Sequence, residues 1–253
     1  MRTTFLLLVL FYSFLAHSSN QETSNGKILF VTSNQKTYGT TEKKTANHFG
    51  EIVYAYEEFV KAGYTVDFVS PNGGKIPVGY IKKSDSLQQQ YLKDKEFMKL
   101  LKNTFKPSQI TGSNYKAVYY SGGGAAMFGV PENVSIQEIS RKIYQSKGVV
   151  SAVCHGTAGI ANLKTSDGKY IYHQKKISGF PDKFENKKAN YFKTFPFSIE
   201  EKITENGGNF QYSKKGWDNF VAIDGRLITG QDPSASATVA KEVIKLLKHS
   251  SKQ

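Results

Sequence analysis

Short apolar runs alternate with longer amphipathic stretches along most of this 253-residue chain. Four runs rich in β-branched and aromatic residues predict buried strands at residues 27–32, 65–69, 116–120 and 148–153. Helical spacing of apolar positions is clearest over residues 47–62, where Ile52, Tyr56 and Phe59 share one face. Gly63 follows at the position where a glycine commonly ends a helix. Strands that alternate with helices predict a mostly parallel sheet.

The second half of the chain adds helices and two pairs of strands. Helices are predicted over residues 94–103, 136–145, 182–190 and 199–205, from about His155, and from a Ser234 cap to residue 248. Asp224-Gly225 predicts a hairpin between strands 220–223 and 227–229, and a second strand pair is predicted at 170–172 and 176–178. The pattern indicates one α/β domain over residues 20–253, a three-layer sandwich with antiparallel strands at one edge.

The first residues follow a different pattern. Arg2 precedes an almost unbroken apolar run over residues 5–16, and Ala16-His17-Ser18 resembles a small-x-small cleavage site. These features are typical of a secretory signal peptide over residues 1–19, and the run is short for a transmembrane helix. An uncleaved membrane anchor is the alternative. The expected location is therefore secreted or periplasmic, without stable membrane insertion.

The composition is that of a globular protein with a basic surface. Hydrophobic residues make up 39%, charged residues 22%, and the net charge is +13. The lysines are scattered rather than arranged in a dense stripe with aromatic residues, so a solvated surface is favoured over nucleic-acid binding.

The chain has a single cysteine, Cys154, so it cannot form an internal disulfide. Cys154 ends an apolar strand, and a helix follows without a loop, which predicts a sharp turn like the nucleophile elbow of serine hydrolases. A helix N-terminus favours thiolate, so we expect a lowered Cys154 pKa. The backbone N–H of His155 and one from Gly122–Gly124 could stabilise an oxyanion. The alternative is a small buried apolar residue without chemistry.

Ala152-Val-Cys-His-Gly156, preceded by Ser121-Gly-Gly-Gly124, resembles the ThiJ/PfpI superfamily, which is related to class I glutamine amidotransferases. Further stretches resemble its glyoxalase III and heat-induced chaperone branch, namely residues 58–70, 177–182, 217–220 and 224–236. The resemblance runs from Lys27 to about Leu247 and implies a flavodoxin-like, amidotransferase-like fold.

The resemblance also implies a set of site residues. The elbow cysteine and its following histidine act in that branch with a glutamate beyond the Gly-Phe-x-Asp motif, which here gives Cys154, His155 and Glu185. A glutamate on the first helix that touches the sulfur corresponds to Glu51. Gly123 and Gly124 are expected to form the oxyanion segment. This chain departs from the branch by having Gly124 where a histidine is common, and residues 184–209 match weakly.

The implied activity is that of a glutathione-independent glyoxalase, a lyase of the D-lactate dehydratase type. It would convert methylglyoxal, a small 2-oxoaldehyde, to lactate through a Cys154 hemithioacetal, with no metal and no organic cofactor. The requirements are an activated thiol, a base and an oxyanion site. A homodimer is compatible with the resemblance, although nothing in the sequence defines its interface.

Two other functions stay open at the level of sequence. Amide hydrolysis by a cysteine peptidase or amidotransferase-like mechanism would need His155 oriented by an acid. A non-enzymatic stress chaperone or redox sensor would instead oxidise Cys154 to a sulfinic acid beside Glu51. Asn133-Val-Ser135 is a glycosylation sequon that would matter in a eukaryotic secretory pathway.

Overall fold

The apolar runs form strands where the sequence predicts them. The computed structural model describes residues 24–250. Its strands, in chain order, are β1 (Lys27–Val31), β2 (Asn47–His48), β3 (Thr65–Val69), β4 (Val78–Gly79), β5 (Tyr115–Tyr120), β6 (Val149–Val153), β7 (Lys176–Ile177), β8 (Asn209–Phe210), β9 (Val221–Asp224) and β10 (Leu227–Gly230). The predicted signal peptide, residues 1–19, lies outside the described residues.

The six longer strands form one sheet in the order β3-β1-β5-β6-β10-β9. Neighbouring strands are parallel, except that β9 pairs antiparallel with β10 through the Asp224-Gly225 hairpin. Numbered along the chain, the five parallel strands have the order 2-1-3-4-5 of flavodoxin-like folds. The predicted parallel sheet and its antiparallel edge are therefore confirmed.

Helices cover both faces of this sheet. They are α1 (Phe49–Lys61), α2 (Ser86–Lys93), α3 (Lys95–Lys102), α4 (Val134–Gln145), α5 (Ile199–Glu205) and α6 (Ser236–Ser250). Side chains alternate along a strand, so Ile28 and Phe30 of β1 pack with α1 and α6, whereas Leu29 and Val31 pack on the side of α4. This arrangement confirms the three-layer sandwich. None of the helices within residues 24–250 combines the length and apolar character that a membrane span requires.

Helix α1 begins later than the sequence pattern suggests. Residues 47–48 form a short strand that pairs with β4, and His48 caps the helix by accepting a hydrogen bond from the Glu51 N–H through Nδ1 at 3.2 Å. This cap fixes the first turn of α1, and with it the position of Glu51, at the carboxyl edge of the sheet.

Two predicted elements between residues 170 and 190 are wrong. Instead of a helix over 182–190, the chain has a single 3-10 turn, Asp182–Phe184. The Asp182 carboxylate accepts hydrogen bonds from the Ser198 hydroxyl and the Lys187 ammonium, and these tertiary contacts hold the segment in a non-helical conformation. Residues 170–172 do not form a strand that pairs with 176–178. Tyr170 makes an isolated bridge with Lys164, a turn follows, and β7 pairs with β8 instead.

The last helix also begins differently from the prediction. Asp232 rather than Ser234 provides the cap, and it caps the 3-10 turn Pro233–Ala235 that leads into α6. Its carboxylate accepts hydrogen bonds from the backbone N–H and the hydroxyl of Ser234.

Candidate active site

Cys154 occupies the sharp turn that the sequence predicts. It follows β6 directly and has φ +56°, a left-handed backbone conformation that residues other than glycine rarely adopt. The turn continues as a 3-10 helix, Cys154–Ile160, rather than as the predicted α-helix. A Cβ on Gly156 would lie 2.2 Å from the Tyr120 carbonyl oxygen, so only glycine lets this turn pack against β5. Such backbone strain is characteristic of functional sites.

Glu51 lies beneath the cysteine and is fully buried. Its Oε2 accepts a hydrogen bond of 2.6 Å from the Gly122 N–H. Its Oε1 has no hydrogen-bond partner in the part of the chain that the structure describes, and the carboxyl lies close enough to the Cys154 thiol for each group to affect the pKa of the other. Burial raises the pKa of Glu51 to about 8, although the Gly122 N–H opposes the shift. Glu51 is therefore mainly protonated at neutral pH.

The expected lowering of the Cys154 pKa is wrong. Burial raises the pKa of the thiol well above its usual range, and the neighbouring carboxyl of Glu51 raises it further. The His155 N–H opposes this shift but does not outweigh burial. Because the two groups are coupled, protons leave the pair rather than either residue alone. Activation of the thiol therefore requires a base that takes its proton when substrate binds.

His155 is placed to be that base. Its Nδ1 lies 3.5 Å from Cys154 Sγ, and its Nε2 lies 2.7 Å from Glu185 Oε1. When Nε2 donates its hydrogen to the Glu185 carboxylate, Nδ1 is the nitrogen that can accept the thiol proton. The side chains of His155 and Glu185 are only 12% and 5% exposed, so water competes little for this hydrogen bond. The structure thus aligns Cys154, His155 and Glu185 in one relay.

Aromatic side chains from the loops between residues 180 and 195 pack against His155 and Glu185. The ring of Phe180 stacks on the His155 ring at a centroid distance of 4.8 Å, and Phe195 meets it edge-on at 5.4 Å. The Tyr191 hydroxyl donates to Glu185 Oε2 at 3.5 Å. These contacts fix the imidazole plane and reduce the access of water to the proton path.

The glycine segment after β5 is built differently from a simple oxyanion pair. The Gly124 N–H donates to the Tyr80 hydroxyl at 3.3 Å, a contact that a substrate oxygen would have to replace. Gly123 packs against the backbone of residues 46–48. A Cβ on Gly122 would lie 2.8 Å from the His155 nitrogen and 2.9 Å from the Gly156 nitrogen. Gly122 therefore faces the elbow more closely, and an oxyanion role for Gly123 and Gly124 stays a prediction.

A sequence profile of the DJ-1/PfpI family matches residues 48–246. The chain belongs to the DJ-1/PfpI family. A glutathione-independent glyoxalase of Schizosaccharomyces pombe, hsp3102, is 33% identical over 216 residues, which cover 81% of this chain and 90% of the relative. Glyoxalase 3 of Candida albicans is 30% identical over 232 residues, which cover 86% and 96%.

Solved structures give the same family placement. The crystal structure of glyoxalase III from Candida albicans superposes with a TM-score of 0.80 at 27% identity, covering 88% of this chain and 97% of that one. These similarities confirm the glyoxalase III branch of the DJ-1/PfpI family, which the sequence motifs already indicated.

The site of this DJ-1/PfpI protein contains residues that sequence reasoning missed. The His48 ring stacks on Tyr80 at 5.1 Å with 7° between the planes. Burial lowers the pKa of His48 to about 4, so its ring is neutral at pH 7. Its position three residues before Glu51 matches the spacing of a helix N-cap, a signal that could have found it. Tyr80 lies in a segment without periodic pattern and gave no such signal.

Asp232 is a second missed residue. It is fully buried, accepts hydrogen bonds from Trp217 N at 2.8 Å and from Gln231 Nε2 at 3.1 Å, and its charge contributes to the raised pKa values of both Glu51 and Cys154. Among residues 24–250, no group of three or more His, Cys, Asp or Glu side chains is arranged to hold a metal ion.

Proposed function

We propose that this protein is a glutathione-independent glyoxalase that converts methylglyoxal to lactate, with Cys154 as the nucleophile. The hydrogen-bonded relay from Cys154 through His155 to Glu185 carries this proposal. It supplies a nucleophile, a base and a carboxylate that orients the base. The names of the relatives from Schizosaccharomyces pombe and Candida albicans support the same activity.

The first step is addition of the thiol to the aldehyde. His155 Nδ1 takes the thiol proton while Sγ forms a bond to the aldehyde carbon, and the carbonyl π electrons move to oxygen. His155 then returns the proton to that oxygen, which gives a hemithioacetal. Between the two transfers the Glu185 carboxylate stabilises the imidazolium. The protonated carboxyl of Glu51 can donate a hydrogen bond to the sulfur as negative charge develops there.

The second step moves a proton between two carbons. His155 or Glu185 removes the proton from the carbon that carries sulfur, and the electron pair moves through a new carbon–carbon double bond onto the ketone oxygen, which gives an enediolate. The proton returns to the former ketone carbon, and the hydroxyl proton of the sulfur-bearing carbon passes to the enediolate oxygen, which leaves a lactate thioester on Cys154. Water hydrolyses this thioester and restores the thiol. The sum is methylglyoxal plus water to lactate, which needs no oxidant or reductant.

The test is lactate formation from methylglyoxal by the purified protein without glutathione, followed by proton NMR. We expect turnover by the wild type, none above background for Cys154→Ala, and a loss of about 10²–10⁴-fold for His155→Gln. His173→Gln is the matched control, because His173 is exposed and lies outside the relay. Full activity of Cys154→Ala would disprove the proposal.

Amide hydrolysis is a second candidate, and one observation favours it. A histidine oriented by a carboxylate, such as His155 by Glu185, is also the arrangement that protonates a leaving amine. Cleavage of peptide nitroanilides that depends on Cys154, in a protein without methylglyoxal turnover, would establish this function instead.

We further propose that residues 1–19 direct secretion or periplasmic export and that the protein assembles as a homodimer. The apolar run behind Arg2 supports export. Mass spectrometry of protein expressed in its source should find an N-terminus near Ser19 or Asn20. An intact Met1 in the mature protein would contradict export, and a monomeric mass by sedimentation would contradict the dimer.

A further inference from the structure

We propose that a groove beside the active site binds a free amphipathic carboxylate, an anion with an apolar chain of medium length. This groove, here the lysine groove, has a volume of about 940 Å³. Its rim carries the side chains of Lys36, Lys43, Lys44, Lys75 and Lys102. The inference is independent of the proposed glyoxalase activity.

The fold brings these lysines together from three segments. Residues 36–46 and 75–80 meet through the pairing of β2 with β4, and α3 contributes Lys102 and Met98. No single stretch of sequence contains the cluster, which explains why the lysines look scattered along the chain. The structure converts part of that scattered charge into one positively charged concave surface.

The charge of the lysine groove is largely uncompensated. Across residues 24–250, the side-chain nitrogens of Lys36, Lys44, Lys75 and Lys102 have neither a hydrogen bond nor an ion pair. Glu42 is the acidic residue on the lining. Lys43 lies over the rings of Tyr38 and Tyr191, at 5.9 and 5.0 Å from their centroids. A concave surface lined by one sign of charge concentrates ligands of the opposite sign.

A second basic groove provides a contrast within the same molecule. It lies between α1 and α6, and three of its lysines are neutralised by glutamates. Lys61 pairs with Glu57 at 2.8 Å, Lys241 with Glu58 at 3.5 Å and Lys245 with Glu242 at 3.3 Å. The paired lysines of this second groove are thus neutralised within the protein, whereas the unpaired lysines of the lysine groove are available to an anionic ligand.

The floor of the lysine groove is apolar. Ile76 is 3% and Tyr38 8% exposed, and Pro77, Val78 and Met98 complete the lining beside them. Binding sites for small molecules have volumes of roughly 300–1,000 Å³ and combine apolar walls with a few charged groups. An apolar floor beneath a cationic rim therefore fits a carboxylate with a hydrocarbon chain better than it fits inorganic phosphate.

The groove also adjoins the catalytic residues. Tyr80 lines it, bonds to the Tyr38 hydroxyl at 3.0 Å and accepts the Gly124 N–H at 3.3 Å. The Tyr80 ring also stacks on His48, the cap of the helix that carries Glu51. An occupant of the groove would therefore touch a residue that contacts the glycine segment of the site.

The test is calorimetric titration of the full protein with decanoate below its micellar concentration. We expect saturable binding that weakens from 50 to 500 mM NaCl, since salt screens exposed charges, and no binding of decyltrimethylammonium. The double variant Lys44→Met/Lys102→Met, which removes two positive charges from the groove, should lose about tenfold in decanoate affinity, or about 1.4 kcal/mol. The control Lys241→Met/Lys248→Met, in the second groove, should bind like the wild type.

Circular dichroism and thermal midpoints establish that both double variants are folded, and Lys36→Met/Lys75→Met repeats the test if the first variant is not. Equal binding of decanoate and decyltrimethylammonium would overturn the proposal, and so would undiminished affinity in the groove variants. Binding to phosphatidylglycerol vesicles without binding to monomeric decanoate would show that the groove recognises a membrane surface instead.

Discussion

The active site has two halves that are built in different ways. Cys154 and Glu51 lie at the ends of regular elements, where β6 meets a tight turn and α1 begins, and both are almost fully buried. Glu185 comes from a loop after a 3-10 turn. From neighbouring loops, Tyr191 donates a hydrogen bond to its carboxylate and Phe180 stacks on the His155 ring. In the regular half, burial and Glu51 keep the Cys154 thiol protonated. In the loop half, Glu185 orients the His155 ring that removes the thiol proton. His155 joins the halves, since its backbone belongs to the first and its ring to the second.

The largest effect should come from weakening the link between the two halves, which is the interaction of Glu185 with His155. Glu185→Gln leaves the shape of the site but removes the charge that stabilises the His155 imidazolium. We expect kcat/KM for methylglyoxal to fall about 10³-fold, or about 4 kcal/mol of transition-state stabilisation. Glu205→Gln at the exposed end of α5 is the matched control and should stay within about twofold of wild type. Equal losses in both variants would contradict the relay.

The regular half predicts a dependence of stability on pH. Because burial raises the pKa of Glu51 from 4.5 to about 8, the folded state binds its proton more tightly than the unfolded state. Stability from this group is fully present below pH 4.5 and declines as pH rises to 8. Glu51→Gln removes the titration, so the free energies of unfolding of wild type and variant should diverge by roughly 3–5 kcal/mol across that range.

Urea unfolding at pH 5 and pH 8 measures this divergence. His48, whose pKa is lowered to about 4, has the opposite slope between pH 4 and 6.5, but it is present in both proteins and cancels in the comparison. A constant stability difference between wild type and Glu51→Gln over the whole range would contradict a protonated Glu51.

The elbow itself should tolerate little added volume. Gly156→Ala places a Cβ against the Tyr120 carbonyl, where backbone rather than a flexible side chain must move. We expect a loss of about 2–3 kcal/mol in the free energy of unfolding. At Gly168 a Cβ meets open space and only the positive φ is costly, so Gly168→Ala should lose about 1 kcal/mol. Similar unfolding midpoints for both variants would contradict the close packing of the turn on β5.

The smallest effect is expected at the aromatic wall of the loop half. Phe180→Leu keeps an apolar side chain but removes the stacking on the His155 ring. Because the Glu185 hydrogen bond still orients the imidazole, kcat should fall only about two- to fivefold, in line with the roughly 1 kcal/mol of an aromatic pair. Phe210→Leu, at a ring that does not contact His155, is the comparison. A loss as large as that of Glu185→Gln would mean that stacking, rather than the carboxylate, positions the base.

The division into a regular half and a loop half also explains which features could be predicted from the sequence. The parallel sheet, the elbow at Cys154 and the Asp224-Gly225 hairpin were predictable, because buried strands and tight turns depend on local patterns. Cys154 came from its place at the elbow, whereas the roles of His155, Glu185 and Glu51 came from the family resemblance, and the structure brings all four together. The loop half was predicted poorly, and the helix expected at 182–190 is a single turn. Its conformation depends on tertiary contacts such as Ser198 to Asp182.

The direction of the Cys154 pKa could not be predicted from the sequence. The helix dipole is visible in the sequence, but the burial of the thiol and the proximity of Glu51 arise only when β6 and α1 are assembled. The lysine groove is likewise invisible, since its rim draws on three separate segments.

The most direct test of the account is to identify the atom that methylglyoxal binds first. Rapid acid quenching of the wild-type protein during turnover of methylglyoxal, followed by peptide mass spectrometry, should find one substrate-derived adduct, the lactate thioester, on the peptide that contains Cys154. A thioester survives acid, and the Cys154→Ala protein should carry no such adduct. An unmodified Cys154 peptide, with adducts only on lysine or arginine side chains, would contradict the account.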